Sequence, residues 1–172
     1  MISVVDYGLG NVEAFLTMFK RLGFEANRAK TKADLIGVSK IILPGVGAFD
    51  HAIKMINQSG MRKTLETLVI NDRIPILGIC VGMQMLASAS DEGNLPGLGW
   101  IPGRVCSFRS NEESASLPLP HMGWNKVKPK PGHPLFVGLE AHAKFYFLHS
   151  YYFECDEQLN ISANVFYGFD FT

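Results

Sequence analysis

A chain of 172 residues, 47% hydrophobic and 19% charged, holds enough apolar sequence for one domain with a sizeable core. Lys and Arg number 16, as do Asp and Glu, which excludes the strong basic field expected of a nucleic-acid or acidic-membrane binder. No apolar run is long enough to span a bilayer, no signal-peptide pattern follows Met1, and three widely spaced cysteines fit neither a disulfide framework nor a zinc site. No metal or cofactor is expected, and the cytosol is the expected compartment.

Taken in order, residues 2–5 read as a buried strand that breaks into the glycine-rich turn Asp6-Tyr-Gly-Leu-Gly-Asn11. Asn11 suits the N-cap of a helix whose apolar stripe is Ala14, Phe15, Met18, Phe19 and Leu22, closed by Gly23. Gly8-Leu-Gly10 lacks the third glycine of a dinucleotide fingerprint. A second strand is expected at 24–29, a short helix at 32–36, and a buried strand at 40–43. That strand runs into Pro44-Gly-Val-Gly-Ala-Phe49, a sharp loop with exposed backbone amides. Helices are expected at 50–56 and 61–70, separated by Gly60.

Residues 74–79 form an apolar run of strand length, expected to be buried on both faces, and 83–89 favour a helix. Between them stands Gly78-Ile79-Cys80-Val81-Gly82, a nucleophile elbow with cysteine as the nucleophile. Its glycines allow a tight turn and close backbone approach. The positive end of the following helix favours an anionic, attacking sulfur, and its unpaired N–H groups can hold an oxyanion. Gln84 lies one helical turn on, on the same face as Cys80.

Past residue 89 the texture changes. A loop is expected at 91–99, a strand at 104–108 and a polar loop at 111–120. Strands follow at 124–128, 144–153 and 159–166 without intervening helices. The whole predicts an α/β fold: a doubly wound, mostly parallel sheet with an antiparallel extension, in a single domain. Loops at the carboxyl ends of the parallel strands, those after residues 43 and 79 included, are expected to open on one edge. Cys106 and Cys155 sit in strand-like runs and read as core.

Six segments in order resemble the class I, triad-type glutamine amidotransferases, and within them the glutaminase subunits of imidazole glycerol phosphate synthase. They are Asp6–Asn11, Leu43–Phe49, Gly78–Gln84, Gly97–Gly99, Pro120–Asn125 and Phe145–Tyr152. The resemblance implies that Cys80 attacks the side-chain amide of glutamine, releasing ammonia and leaving a thioester that water hydrolyses. It implies an oxyanion hole from the Val81 N–H and an amide of the Gly45-Val46-Gly47 turn, and substrate contacts from Gln84, Ser150 and Tyr151. It further implies a (β/α)₈ cyclase partner that receives the ammonia, with Asn11, Met122 and Trp124 on the contact surface.

The family takes its general base from a His-Pro-Glu segment, and no His-x-Glu occurs in these 172 residues. Tyr167-Gly-Phe-Asp-Phe-Thr172 resembles the start of the region preceding that segment, so the domain reads as one without it. None of the five histidines replaces the base in this reading; each is assigned to packing or surface. Little or no glutaminase activity of the 172 residues alone is the expectation. Two rival readings keep part of the pattern. One is a paralogous amidotransferase feeding ammonia to a surface sugar; the other is a catalytically idle subunit that only binds its partner.

Overall fold

The computed structural model describes residues 1–139 and 142–172. Its centre is a four-stranded parallel sheet of β1 (Ile2–Val5), β2 (Ala26–Ala29), β3 (Lys40–Gly45) and β4 (Ile76–Cys80), in the order β2-β1-β3-β4. The chain winds outward from β1 to β2, then reverses to β3 and β4, which places the loops after β1, β3 and β4 along one edge.

Alternation along β1 and β3 sends Val5, Ile41 and Leu43 to one face and Val4 and Ile42 to the other. Helices α2 (Phe49–Gln58) and α3 (Arg62–Glu66) cover the first face, with Phe49, Ile53, Ile56 and Leu65 completely buried. A wider π-helical turn, Thr67–Asn71, continues α3 over the expected span. Helix α1 (Val12–Arg21) covers the second face, and the sheet is thereby wound on both sides. Asn11 caps α1: its Oδ1 accepts the Ala14 N–H at 3.1 Å.

Two expectations shift here. The stripe of α1 that packs on Val4 and Ile42 is Val12, Phe15, Leu16 and Phe19, while Met18 and Leu22 face outward. The helix is apolar around more than half its circumference, and Phe15 and Phe19 belong to both possible stripes. Strand β4, at the end of the sheet order, is only half-buried, with Ile76 packed on one face and Ile79 on the other; Leu77 is 45% exposed because α1 reaches no further than Ile79.

Helix α4 is confined to Val81–Gln84, where the sequence favours helix to 89. The loop beyond takes its next carbonyls instead: Leu98 N–H donates to Met85 O at 2.8 Å, Trp100 N–H to Leu86 O at 2.9 Å, and Gly99 N–H to Ala87 O at 3.0 Å. Ala89–Ser90 then leaves as β5 and pairs with β6 (Gly103–Ser107). Tertiary hydrogen bonds override helix propensity in this stretch.

The later strands, antiparallel except for the parallel β5–β6 pair, form sheets of their own beside the parallel one. In the first, β5, β6 and β9 (Tyr151–Cys155) lie side by side. In the second, β7 (His121–Pro129) pairs with β8 (Lys144–His149) and with β10 (Ala163–Tyr167), which turns into β11 (Phe169–Phe171). The expected strand over 144–153 is thus two strands in two sheets, broken at Ser150. Between the sheets lies a second core of Cys106, Phe108, Tyr152, Val165 and Phe171.

Candidate active site

Cys80 ends β4 with φ 55° and ψ −122°, a left-handed conformation that a side-chain-bearing residue adopts only under constraint. The constraint comes from three glycines. A Cβ on Gly82 would lie 2.0 Å from Leu43 O, one on Gly45 would lie 2.3 Å from Gly82 N, and one on Gly78 would lie 2.5 Å from Met83 Cα. Backbone packed this closely fixes the turn, so that the Cys80 side chain is thrust outward and is exposed.

The turn after β1 supports the same edge. Tyr7 is buried, and its hydroxyl donates to Pro44 O at 2.7 Å, pinning the start of the 44–49 loop. Burial first, and then the negative charge Cys80 can carry, raise the Tyr7 phenol above its usual range, so it stays a donor. Gly10, with φ 88°, lies so near Pro44 that a Cβ would stand 2.7 Å from the proline Cβ.

Cys80 opens into a cleft of about 360 Å³. Val46 and Gly47 of the loop after β3, Val81 and Gln84 of α4, and the Leu148–Tyr151 segment line it with the thiol. Six of the residues expected to carry the chemistry or the substrate besides Cys80 therefore share one wall-to-wall space: Val46, Gly47, Val81, Gln84, Ser150 and Tyr151. Gly45 stands behind it, buried as the last residue of β3, where it makes room for the Gly82 amide.

The family described as class-I glutamine amidotransferase matches residues 3–166. The chain belongs to this family. Over all 172 residues it is 56% identical to the imidazole glycerol phosphate synthase subunit HisH of Bdellovibrio bacteriovorus, covering 84% of that protein. It is 48% identical to the subunit of the same name from Leptospira borgpetersenii, again covering 84% of it. A solved glutamine amidotransferase structure superposes with a TM-score of 0.70 at 19% identity, over 96% of this chain and 84% of that one, which is a likeness of fold.

The cleft beside Cys80 contains two polar side chains that the sequence did not point to. Glu92 lines it, with Oε2 accepting the Phe49 N–H at 2.9 Å at the first turn of α2. The loop carrying Glu92 is fastened to that helix by Asp50, whose carboxylate accepts the Leu95 and Asn94 N–H groups at 3.0 and 3.1 Å. Those two bonds, Leu95 foremost, hold Asp50 below the usual carboxylate range. The signal lay in the loop's fastening, and a polar, glycine-containing segment conceals such contacts.

His149 is the second. The sequence reading assigns it to packing or surface, and it is packed against Phe108, yet it also borders the cleft. Its Nδ1 lies 2.7 Å from Tyr151 O and its Nε2 lies 2.9 Å from His121 Nδ1. The other two cysteines are separate from this site. Burial, then the hydrogen bond to Glu154, pushes the Cys106 thiol up to about 12, and burial likewise raises Cys155.

On the outer face of the β7–β8 pair, Met122 stands opposite Leu148 and Trp124 opposite Tyr146. All four are exposed, from 54% to 66%, and Trp124 and Tyr146 make an edge-on contact at 5.8 Å. An apolar strip of this kind is unusual on a surface facing only water. Leu148 also borders the Cys80 cleft, so strip and cleft adjoin. Asn11, also exposed, has its side chain engaged as the cap of α1.

Proposed function

We propose that this chain is the glutaminase subunit of an imidazole glycerol phosphate synthase, supplying ammonia from glutamine to a cyclase partner. The observation that carries the reading is Cys80 at positive φ on a three-glycine elbow, opening into the cleft that Gln84, Glu92 and Ser150-Tyr151 share. Family membership and relatives bearing that subunit's name support it.

In this reading glutamine enters with its α-ammonium toward Glu92 and its side-chain amide over Cys80. The sulfur forms a bond to the amide carbon and the carbonyl electrons move onto oxygen. The Val81 N–H and an N–H of the Val46-Gly47 turn stabilise that oxyanion, donors of a kind whose individual removal costs ~10²–10³ in rate. Collapse of the intermediate expels the nitrogen as ammonia and leaves a glutamyl thioester. Water then attacks the thioester through a second oxyanion, giving glutamate and the free thiol.

Attack needs a group to take the thiol proton and hand it to the departing nitrogen. His149 is not that group, since both its ring nitrogens are engaged. The 172 residues contain no His-x-Glu, and turnover by these residues alone is expected to be lower by ~10²–10⁴-fold than with a proton shuttle in place.

The exposed strip of Met122, Trp124, Tyr146 and Leu148 suits a hydrophobic anchor surface for the partner. A (β/α)₈ cyclase docked there, with Asn11 at the margin, would sit beside the mouth of the cleft and receive ammonia without its passing through bulk water. A biosynthetic role on small soluble substrates suits the cytoplasm. Labelling by a γ-glutamyl chloroketone tests the reading: it should alkylate Cys80 with saturation kinetics, and glutamine should protect. Alkylation indifferent to glutamine would overturn the reading.

A further inference from the structure

Two histidines in the second core are joined to each other, and only one of them touches the cleft. His121 is 4% exposed and lies between two rings, stacked on Tyr167 at 4.2 Å and on Phe147 at 5.0 Å. His149 packs edge-on against Phe108 at 5.3 Å. A pair of phenylalanines would fill such a site without the cost of desolvating four ring nitrogens.

The hydrogen bonds fix the tautomers. Tyr151 O can only accept, so His149 Nδ1 carries a proton and donates to it at 2.7 Å. The remaining nitrogen of the neutral ring, Nε2, must then accept, and His121 Nδ1–H donates to it at 2.9 Å. His121 Nε2 accepts in turn from Asn125 Nδ2 at 3.3 Å, and the same Nδ2 donates to Phe166 O at 3.0 Å. The network runs outward from the Asn125 amide on β7, by one N–H to the Phe166 carbonyl on β10 and by the other through both imidazoles to the backbone of Tyr151. Every ring nitrogen in it is used.

Its terminus is where β8 and β9 part at Ser150. The chain changes sheets there: His149 still pairs with His121 on β7, Tyr151 already pairs with Ser107 on β6, the Phe108 N–H donates to Ser150 O at 3.3 Å, and the His149 bond to the Tyr151 carbonyl is the side-chain tie that spans the break. Ser150 and Tyr151 also line the cleft into which Cys80 opens.

We propose that His121 and His149 are positioning residues for glutamine: the paired imidazoles hold the Ser150-Tyr151 backbone in the orientation that seats the substrate over Cys80. This inference rests on the glutaminase reading and adds to it the element that sets the substrate-binding segment. Neither histidine exchanges a proton with the reacting atoms.

The test compares two alkylators of Cys80 in the full 172-residue chain: the γ-glutamyl chloroketone, which must be seated, and iodoacetamide, which needs only the thiol. His149→Phe removes the donor to Tyr151 O. It should raise the half-saturation concentration of the chloroketone about three- to ten-fold, as expected for one neutral hydrogen bond, and move the iodoacetamide rate far less. His149→Asn keeps an N–H near the Nδ1 position and should recover most of the loss. His121→Phe leaves His149 in place but unorients it and should give an intermediate rise; it carries the same test if His149→Phe does not fold.

Unchanged half-saturation in the Phe variants, with a saturable and glutamine-protected parent, overturns the positioning role alone. A parallel fall with both reagents overturns it too, since that marks a general disturbance of the elbow. A parent that shows no saturation and no protection by glutamine overturns both the glutaminase reading and this inference.

Discussion

Gly82 and Leu43 are in contact through backbone alone: a Cβ on Gly82 would stand 2.0 Å from the Leu43 carbonyl oxygen. The elbow and the end of β3 therefore interlock with no side chain between them, and neither can move without the other. The Val81 amide and the Val46-Gly47 turn keep their relative positions by the same contact.

Gly82→Ala should be the most damaging one-methyl change in the site. A rigid carbonyl cannot give way as a flexible side chain can, and overpacking of this kind costs about 1–3 kcal/mol. At about 2–4 °C per kcal/mol for a chain of this size, the loss is measurable by thermal unfolding. Iodoacetamide alkylation of Cys80 should slow as the turn opens. A melting temperature equal to the parent's would show that the two backbones are further apart than described.

The strain at Cys80 has its own signature. Its φ of 55° is kept by the packing of the elbow, at a cost of order 1–3 kcal/mol for a residue with a side chain. Glycine adopts that φ freely but loses about 0.5–1 kcal/mol of chain entropy on folding. Cys80→Gly should thus be more stable than Cys80→Ala by about 1 kcal/mol, while both are inert to alkylation at this position. Equal melting temperatures for the two variants would mean that the elbow relaxes when the sulfur is removed.

The elbow shows what a sequence can and cannot carry. Gly-x-Cys-x-Gly after an apolar run specifies an elbow because local geometry demands those residue types at those spacings. Asn11 as an N-cap and the loop after β3 are legible for the same reason. The length of α4 was not, because Leu98, Gly99 and Trp100 compete for its carbonyls from more than ten residues away. Glu92 and His149 escaped for a related reason: their places in the cleft follow from how separate sheets and loops meet. The outward turn of Leu77 depends on how far α1 extends across the sheet, which the strand's own apolar run does not encode.

Glu92 offers a charge without being essential to the fold. Glu92→Gln keeps an oxygen to accept the Phe49 N–H and removes only the negative charge facing the cleft. The melting temperature should change little. The half-saturation concentration for the γ-glutamyl chloroketone should rise roughly ten-fold or more, the usual worth of a hydrogen bond to a charged group. A variant that binds the reagent as well as the parent does would place the α-ammonium elsewhere in the cleft.

The histidine pair also gives the fold a pH dependence of predictable sign. Burial, then the neighbouring His149, lowers His121 from its usual 6.5 to about 4. Burial lowers His149 as well, partly offset by its bond to Tyr151 O. In the unfolded chain both rings protonate near pH 6.5, whereas the folded protein resists protonation down to about pH 4 for His121. Between those limits the unfolded state binds more protons, so stability falls as the pH is lowered from 7 toward 4. Each such proton contributes a slope of at most about 1.4 kcal/mol per pH unit. Asp34 and Asp50, both held below 3.8 by backbone N–H donors, lose their contributions only at lower pH, which leaves the upper window to the histidines. Melting temperatures recorded from pH 7 to pH 5 should decline for the parent and decline less steeply for His121→Phe. Identical slopes for the two proteins would show that protonation of the pair is not what the folded state resists.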